Sequence, residues 1–298
     1  MAGDGAHGFE DGFVADGSAA HDAAFEIASD GIVPGAGGFF FGELRLSGAN
    51  EPAQGDRDEE ERSEVLHRGG PCVIPSTMRR IAEDVYLLKM FALPNAINAY
   101  LIGDVLLDAG IRSSESKLRA GLQGRTISAH ALTHAHADHQ GASHAICEAY
   151  DVPLWCGEAD RAAVESGDLS GVVPQNVLTR FSEKVWAGPA HPVARVLKEG
   201  DEVAGFKVLE TPGHSPGHLA FWRESDGVLI LGDVLNNMNL FTGIPGLNEP
   251  PKWFTVDCDQ NRESGRKLAA LRPSIMCFGH GAPLLDGAKF VSFIESRR

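Results

Sequence analysis

From Ile81 onward the chain is a succession of short apolar runs, and five of them end on an aspartate or a histidine. "VYLLKM", "AINAYLIG" and "DVLLDAG" are separated by Pro94-Asn95 and Gly103-Asp104, the punctuation of consecutive strands in a meander. "DVLLDAG" ends at Asp108, "TISAHALTH" at His134, "ETPGH" at His214, "ILGD" at Asp233 and "MCFGH" at His280.

The segments between the runs have helical character. "SSESKLRAGL" repeats Leu118 and Leu122 at i and i+4, with Ser113 or Ser114 able to cap it, and "ASHAICEAY" sets Ala142, Ile146 and Tyr150 on one face. "DQNRESGRKLAAL" reads as an amphipathic helix capped by Asp257 or Asp259. Two β-rich halves, each followed by helices, predict two mixed sheets face to face with helices outside, an α+β αββα sandwich. The loops after the strands then open on one edge, where the aspartates and histidines collect.

The first 77 residues differ in texture. Residues 1–70 hold fifteen Asp and Glu against four Arg and no Lys, which leaves 26 acidic against 22 basic residues from 71 onward. This acidic Gly/Asp-rich leader has little to bury and is expected to be disordered, or to precede a start at Met78; the folded domain is placed at 78–298. The remainder has no basic stripe, so nucleic acid is not an expected partner and a small molecule is. Five scattered cysteines, with no C-x-x-C pair, point to a reducing cytoplasm and away from thiolate metal sites. No apolar run is long enough to span a bilayer and no secretory signal is apparent, so no membrane partner is expected.

"THAHADHQG", residues 133–141, puts His134, His136, Asp138 and His139 within six positions at a strand end. Imidazoles and a carboxylate without cysteine favour zinc, with iron or manganese taking the same donors. One metal ion cannot easily use all four from so short a stretch, and His214, Asp233 and His280 arrive in the same strand-end context.

The H-x-H-x-D-H cluster, "TPGHSPGH", the Asp after "ILG" and the late "GH" together resemble the metallo-β-lactamase-fold hydrolases from Ile81 to the C-terminus. The resemblance implies a first metal ion held by His134, His136 and His214, a second by Asp138, His139 and His280, and Asp233 bridging them. It implies the αββα sandwich, and support of a ligating histidine by Asp108. Hydroxide shared by two divalent ions would attack an acyl carbonyl, with Asp138 orienting it and carrying a proton.

The expected substrate is therefore a small thioester, lactone or other ester, with a phosphodiesterase or nuclease, a mononuclear iron persulfide dioxygenase and a β-lactamase as alternatives. Metallo-β-lactamases usually carry Cys or Ser where this chain has Asp233. Glyoxalase II continues into a helical glutathione-binding domain, whereas 18 residues follow His280 here. "NNMNLFTGIPGLNEPPKWF" is expected at the pocket mouth, with Phe241, Trp253 and Phe254 shaping the substrate site. His130 reads as a core histidine, and His144 and His218 as structural.

Overall fold

A computed structural model describes residues 77–90 and 94–297, so the expectation for the leader lies outside the described residues, save Thr77. The first sheet takes its strands in chain order: β1 (Met78–Ala82), β2 (Val85–Leu88), β3 (Ala99–Ile102), β4 (Val105–Leu107), β5 (Ala129–Ala131), β6 (Leu154–Gly157) and β7 (Val193–Leu197). From β1 to β4 the pairing is antiparallel; from β4 to β7 it is parallel. Parallel neighbours require crossovers, and here the crossovers are helical. They carry α1 (Glu115–Gly121), then α2 (Ala137–Gln140) and α3 (Ser143–Tyr150), then α4 (Arg161–Ser166) and α5 (Val177–Trp186).

The second sheet holds β8 (Glu202–Val203), β9 (Phe206–Glu210), β10 (Leu219–Arg223) and β11 (Val228–Gly232). A hairpin of β12 (Asn236–Met238) and β13 (Pro245–Asn248) follows, then α6 (Cys258–Ala269). The chain returns as β14 (Ile275–Phe278), parallel to β11 at the sheet edge, and α7 (Gly287–Glu295) closes it.

Side-chain alternation assigns the layers. Val228 and Ile230 of β11 pack with Tyr100, Ile102, Leu107, Phe206 and Phe221 between the sheets, while Leu229 and Leu231 turn outward onto Leu268, Phe290 and Ile294 of α6 and α7. Leu101 and Leu106 leave the opposite face of the first sheet to meet Leu118, Leu122 and Ile146. Both faces of the central strands β3, β4 and β11 are covered, which is why these read as unbroken apolar runs. The αββα sandwich expected from the sequence is the observed fold.

Two local expectations are refined. Asp257 does cap α6, accepting from the backbone N–H groups of Asp259 and Gln260. Ser114 stands at the N-cap of α1 but makes no capping bond; its hydroxyl accepts instead from Ile111 N at 3.2 Å. Among the described residues no helix is long and apolar enough to cross a membrane.

Candidate metal centre

Asp108, the His134–His139 cluster, His214, Asp233 and His280 follow β4, β5, β9, β11 and β14, so both sheets contribute to one edge of the sandwich. His136 stands at the N-cap of α2, and the single helical turn that follows places Asp138 and His139. The structure brings all seven expected ligand residues together. His134, His136 and His214 form one group, Asp138, His139 and His280 a second, and His134, His139 and Asp233 a third, each with donor atoms within 4.8 Å of one another. Asp233 faces both sides: its Oδ2 is 3.5 Å from His214 Nε2 and 3.1 Å from His280 Nε2, and its Oδ1 is 3.7 Å from His139 Nε2. His280 Nε2 also lies 3.3 Å from Asp138 Oδ2.

Each ring is held by its far nitrogen. Asp108 accepts from Thr133 N and the Thr133 hydroxyl, both at 2.8 Å, and from His139 Nδ1 at 3.0 Å. With its proton committed to Asp108, the Thr133 oxygen accepts from His134 Nδ1 at 3.0 Å. Thr255 repeats this relay: it donates to Pro251 O at 3.1 Å and accepts from His214 Nδ1 at 3.2 Å. His136 Nε2 donates to Val172 O at 2.9 Å, and His280 Nδ1 to Ala96 O.

These bonds fix the tautomers and turn the remaining nitrogens inward. His134 Nε2, His139 Nε2, His214 Nε2 and Asp233 Oδ1 are buried without a hydrogen-bond partner. Four such atoms in one place, each worth about 1–3 kcal/mol if left unsatisfied, fit a divalent-metal centre. The donor set of imidazole nitrogens and carboxylate oxygens suits a borderline cation.

Charge agrees with that fit. Burial and the surrounding imidazoles hold His134 and His214 well below the ordinary histidine range, so they are neutral donors. Burial works the same way on His139, but Asp233, Asp108 and Asp138 outweigh it and raise it to about 9. His280 also goes up, because Asp233 and Asp138 overcome its burial. Burial opposes ionisation of Asp138 and Asp233, yet His139 and His280 hold both carboxyls below the usual range. The carboxylates therefore demand positive charge in the middle of the cluster.

Three supporting residues escape the sequence reading. Buried Asp160 accepts from Ala135 N at 2.9 Å, the Ser215 hydroxyl at 2.8 Å and Gly217 N at 2.7 Å, tying the His134–His139 loop to the His214 loop. Its signal was an acid just past a strand, in "CGEAD". Thr133 and Thr255 carry no signal of their own. His218 is structural, as expected: Nε2 accepts from Asp233 N at 3.1 Å and Nδ1 donates to the Thr211 hydroxyl at 2.8 Å. His130 is the core histidine expected, bonded to Leu106 O and the Ser143 hydroxyl. His144 lies outside the three groups and pairs with His191.

The segment expected at the pocket mouth is partly a hairpin. Phe241 and Trp253 are exposed and Phe254 half-buried; Phe241 lies in the β12–β13 turn, and Trp253 stands two residues before Thr255. Asn176, the cap of α5, donates to Trp253 O at 2.7 Å, which joins this segment to the one whose Val172 holds His136.

The family described as the metallo-beta-lactamase superfamily matches residues 92–280. "Probable metallo-hydrolase YybB" of Bacillus subtilis is 28% identical over 70% of this chain and 92% of its own length. "Probable metallo-hydrolase YflN" of the same organism is 31% identical over 67% of this chain and 81% of its own. Among solved structures, TTHA1623 in a di-iron-bound form superposes with a TM-score of 0.51 at 32% identity, covering 67% of this chain and 93% of that one. With a divalent-metal centre assembled at the edge where both sheets end, the chain belongs to the metallo-beta-lactamase superfamily and is a metal-dependent hydrolase.

Proposed function

We propose that the protein is a dinuclear metal-dependent hydrolase of small acyl substrates: thioesters, lactones or other esters. The observation that carries this is Asp233, whose two oxygens face both the His214 side and the His139–His280 side of one buried cluster. His134, His136 and His214 would hold one ion and Asp138, His139 and His280 the other, with Asp233 between them. The di-iron state of TTHA1623 supports two ions. Zinc suits the donor set best, and iron or manganese would bind the same atoms. When bound, such ions supply Lewis acidity and a water that ionises near neutral pH.

The chain's own groups do the rest. Asp138 is the least buried of the seven proposed ligand residues, so it can orient a water and take its proton while His280 steadies its other oxygen. Asp108, Thr133 and Thr255 keep three imidazoles aimed inward through the reaction. Val177, Leu178 and Phe181 of α5 and Trp253 present apolar surface where Asn176 joins their segments, which supports an apolar acyl portion. The scattered cysteines support a cytoplasmic setting.

The test combines metal analysis with hydrolysis assays of thioester, lactone, β-lactam, phosphodiester and persulfide substrates. Two ions per chain and preferred acyl hydrolysis are expected. One ion that persists after loading with zinc, iron and manganese in turn, or preference for another substrate class, overturns the reading. Asp233→Ala at matched metal content is expected to lower turnover about a hundredfold, on the order of 3 kcal/mol.

A further inference from the structure

We infer that His144, Glu148 and His191 form a second zinc site, open to solvent and built from residues that take no part in the hydrolytic centre. His144 and Glu148 are four residues apart on α3, so their side chains rise from one face. His191 approaches from the segment between α5 and β7 and puts its Nδ1 3.1 Å from His144 Nδ1. A carboxylate oxygen of Glu148 completes a triangle whose corners lie within 4.8 Å of one another.

That spacing suits the metal. Ligand atoms about 2.0–2.1 Å from a tetrahedral zinc ion stand roughly 3.3 Å apart, so the two nitrogens are already in place. The exposed Glu148, whose oxygen lies within 4.8 Å of both nitrogens, would close the third corner by a side-chain rotation. Without an ion the two ring nitrogens share a hydrogen bond, which a bound metal would replace. Two imidazoles and one carboxylate make a donor set for zinc or a similar transition ion; magnesium and calcium prefer oxygen throughout. Three protein ligands leave the fourth position to water.

The backbone under His191 is fixed. His191 N donates to Val164 O at 3.1 Å, and Arg112 Nε to Ala187 O at 2.7 Å. At Gly188 a Cβ would fall 2.2 Å from Gly141 O, so this segment lies directly against the chain entering α3. Burial and the neighbouring His144 hold His191 below its ordinary value, which keeps it neutral and able to coordinate. A bound ion would rivet α3 to the strand-entry segment and leave the hydrolytic centre untouched.

The experiment compares zinc content and zinc affinity of the intact protein with those of His144→Gln/His191→Gln and of Glu148→Gln, each saturated with zinc and then dialysed. The double variant is expected to hold one zinc equivalent fewer and to keep its hydrolytic rate. Glu148→Gln is expected to bind that equivalent more than about tenfold more weakly, since even outer partners of a metal ligand contribute 10–100-fold. Anomalous diffraction at the zinc edge from wild-type crystals should show a peak between the two histidines, whether or not the variants fold. Equal zinc content in wild type and double variant, or no peak there at saturating zinc, overturns the inference.

Discussion

Thr133→Val replaces one oxygen by a methyl group and so isolates the relay behind His134. The hydroxyl makes two bonds, donating to Asp108 Oδ2 at 2.8 Å and accepting from His134 Nδ1 at 3.0 Å. Valine fills nearly the same volume, so no cavity term enters. Asp108 keeps Thr133 N and His139 Nδ1 as donors, so its loss is one bond to a charged group, about 1.5–3 kcal/mol. His134 then has two courses. It can keep its Nδ1 proton buried without a partner, at about 1–3 kcal/mol, or move the proton to Nε2, the atom that faces the metal position.

Either course weakens metal binding, and the expected loss in zinc affinity is 10–100-fold, up to about 2.7 kcal/mol. Competition with a chromophoric chelator measures it, and denaturant unfolding of the metal-free protein measures the stability share. Thr133→Ser restores the oxygen and should recover most of both. If Thr133→Val binds zinc within about twofold of wild type and unfolds at the same denaturant concentration, the hydroxyl does not set the His134 tautomer.

A Cβ at Gly279 would lie 1.9 Å from Asp233 Oδ1, so Gly279→Ala should displace that carboxylate and lower metal content more than melting temperature; unchanged metal stoichiometry would contradict this. Burial pushes His130 down to about 4, so the folded state excludes a proton that the unfolded chain accepts below about 6.5. Its contribution is fully present above that value and is lost as pH falls toward 4, about 2 kcal/mol between pH 7 and 5. Urea titrations should therefore show a shallower acid loss for His130→Asn than for wild type, and equal slopes would refute it. A chain begun at Met78 gives up the Thr77 carbonyl that accepts from Lys89 N at 2.8 Å, so it should stay within about 1.5 kcal/mol of full-length stability and keep its activity; aggregation or lost activity with metal intact would assign the leader to the fold.

Among the proposed ligand residues, His134, His214, Asp233 and His280 were legible because each ends an apolar run, and His136, Asp138 and His139 because they crowd in directly behind His134. The roles of Asp108, Asp233 and His280 came from the family resemblance, which their shared strand-end position brought into view. The fold was legible in the same way, since the central strands β3, β4 and β11, covered on both faces, leave unbroken apolar text. The region 158–197 was silent. In α5 the apolar Val177, Leu178, Phe181 and Val185 are exposed, so their helical spacing does not report a buried face. Its start is fixed by Asn176, which accepts from Leu178 N and Thr179 N. Such a cap fits many loops as well as it fits a helix.

The two PGH triplets in "TPGHSPGH" show where spelling stops carrying information. At the first, Gly213 has φ of +134° and lies against Asn261, a conformation and closeness that a side chain would forbid, and the turn throws His214 into the cluster. At the second, the chain has already re-entered the sheet: His218 O accepts from Thr211 N at 2.9 Å and both ring nitrogens are occupied. Identical triplets thus yield one imidazole with a free inward nitrogen and one with none. The difference is made by Thr255, 41 residues beyond His214, and by Asp233 N, 15 residues beyond His218. A histidine's availability to a metal is decided by what bonds its other nitrogen, and that partner is chosen by tertiary structure, which no local motif encodes.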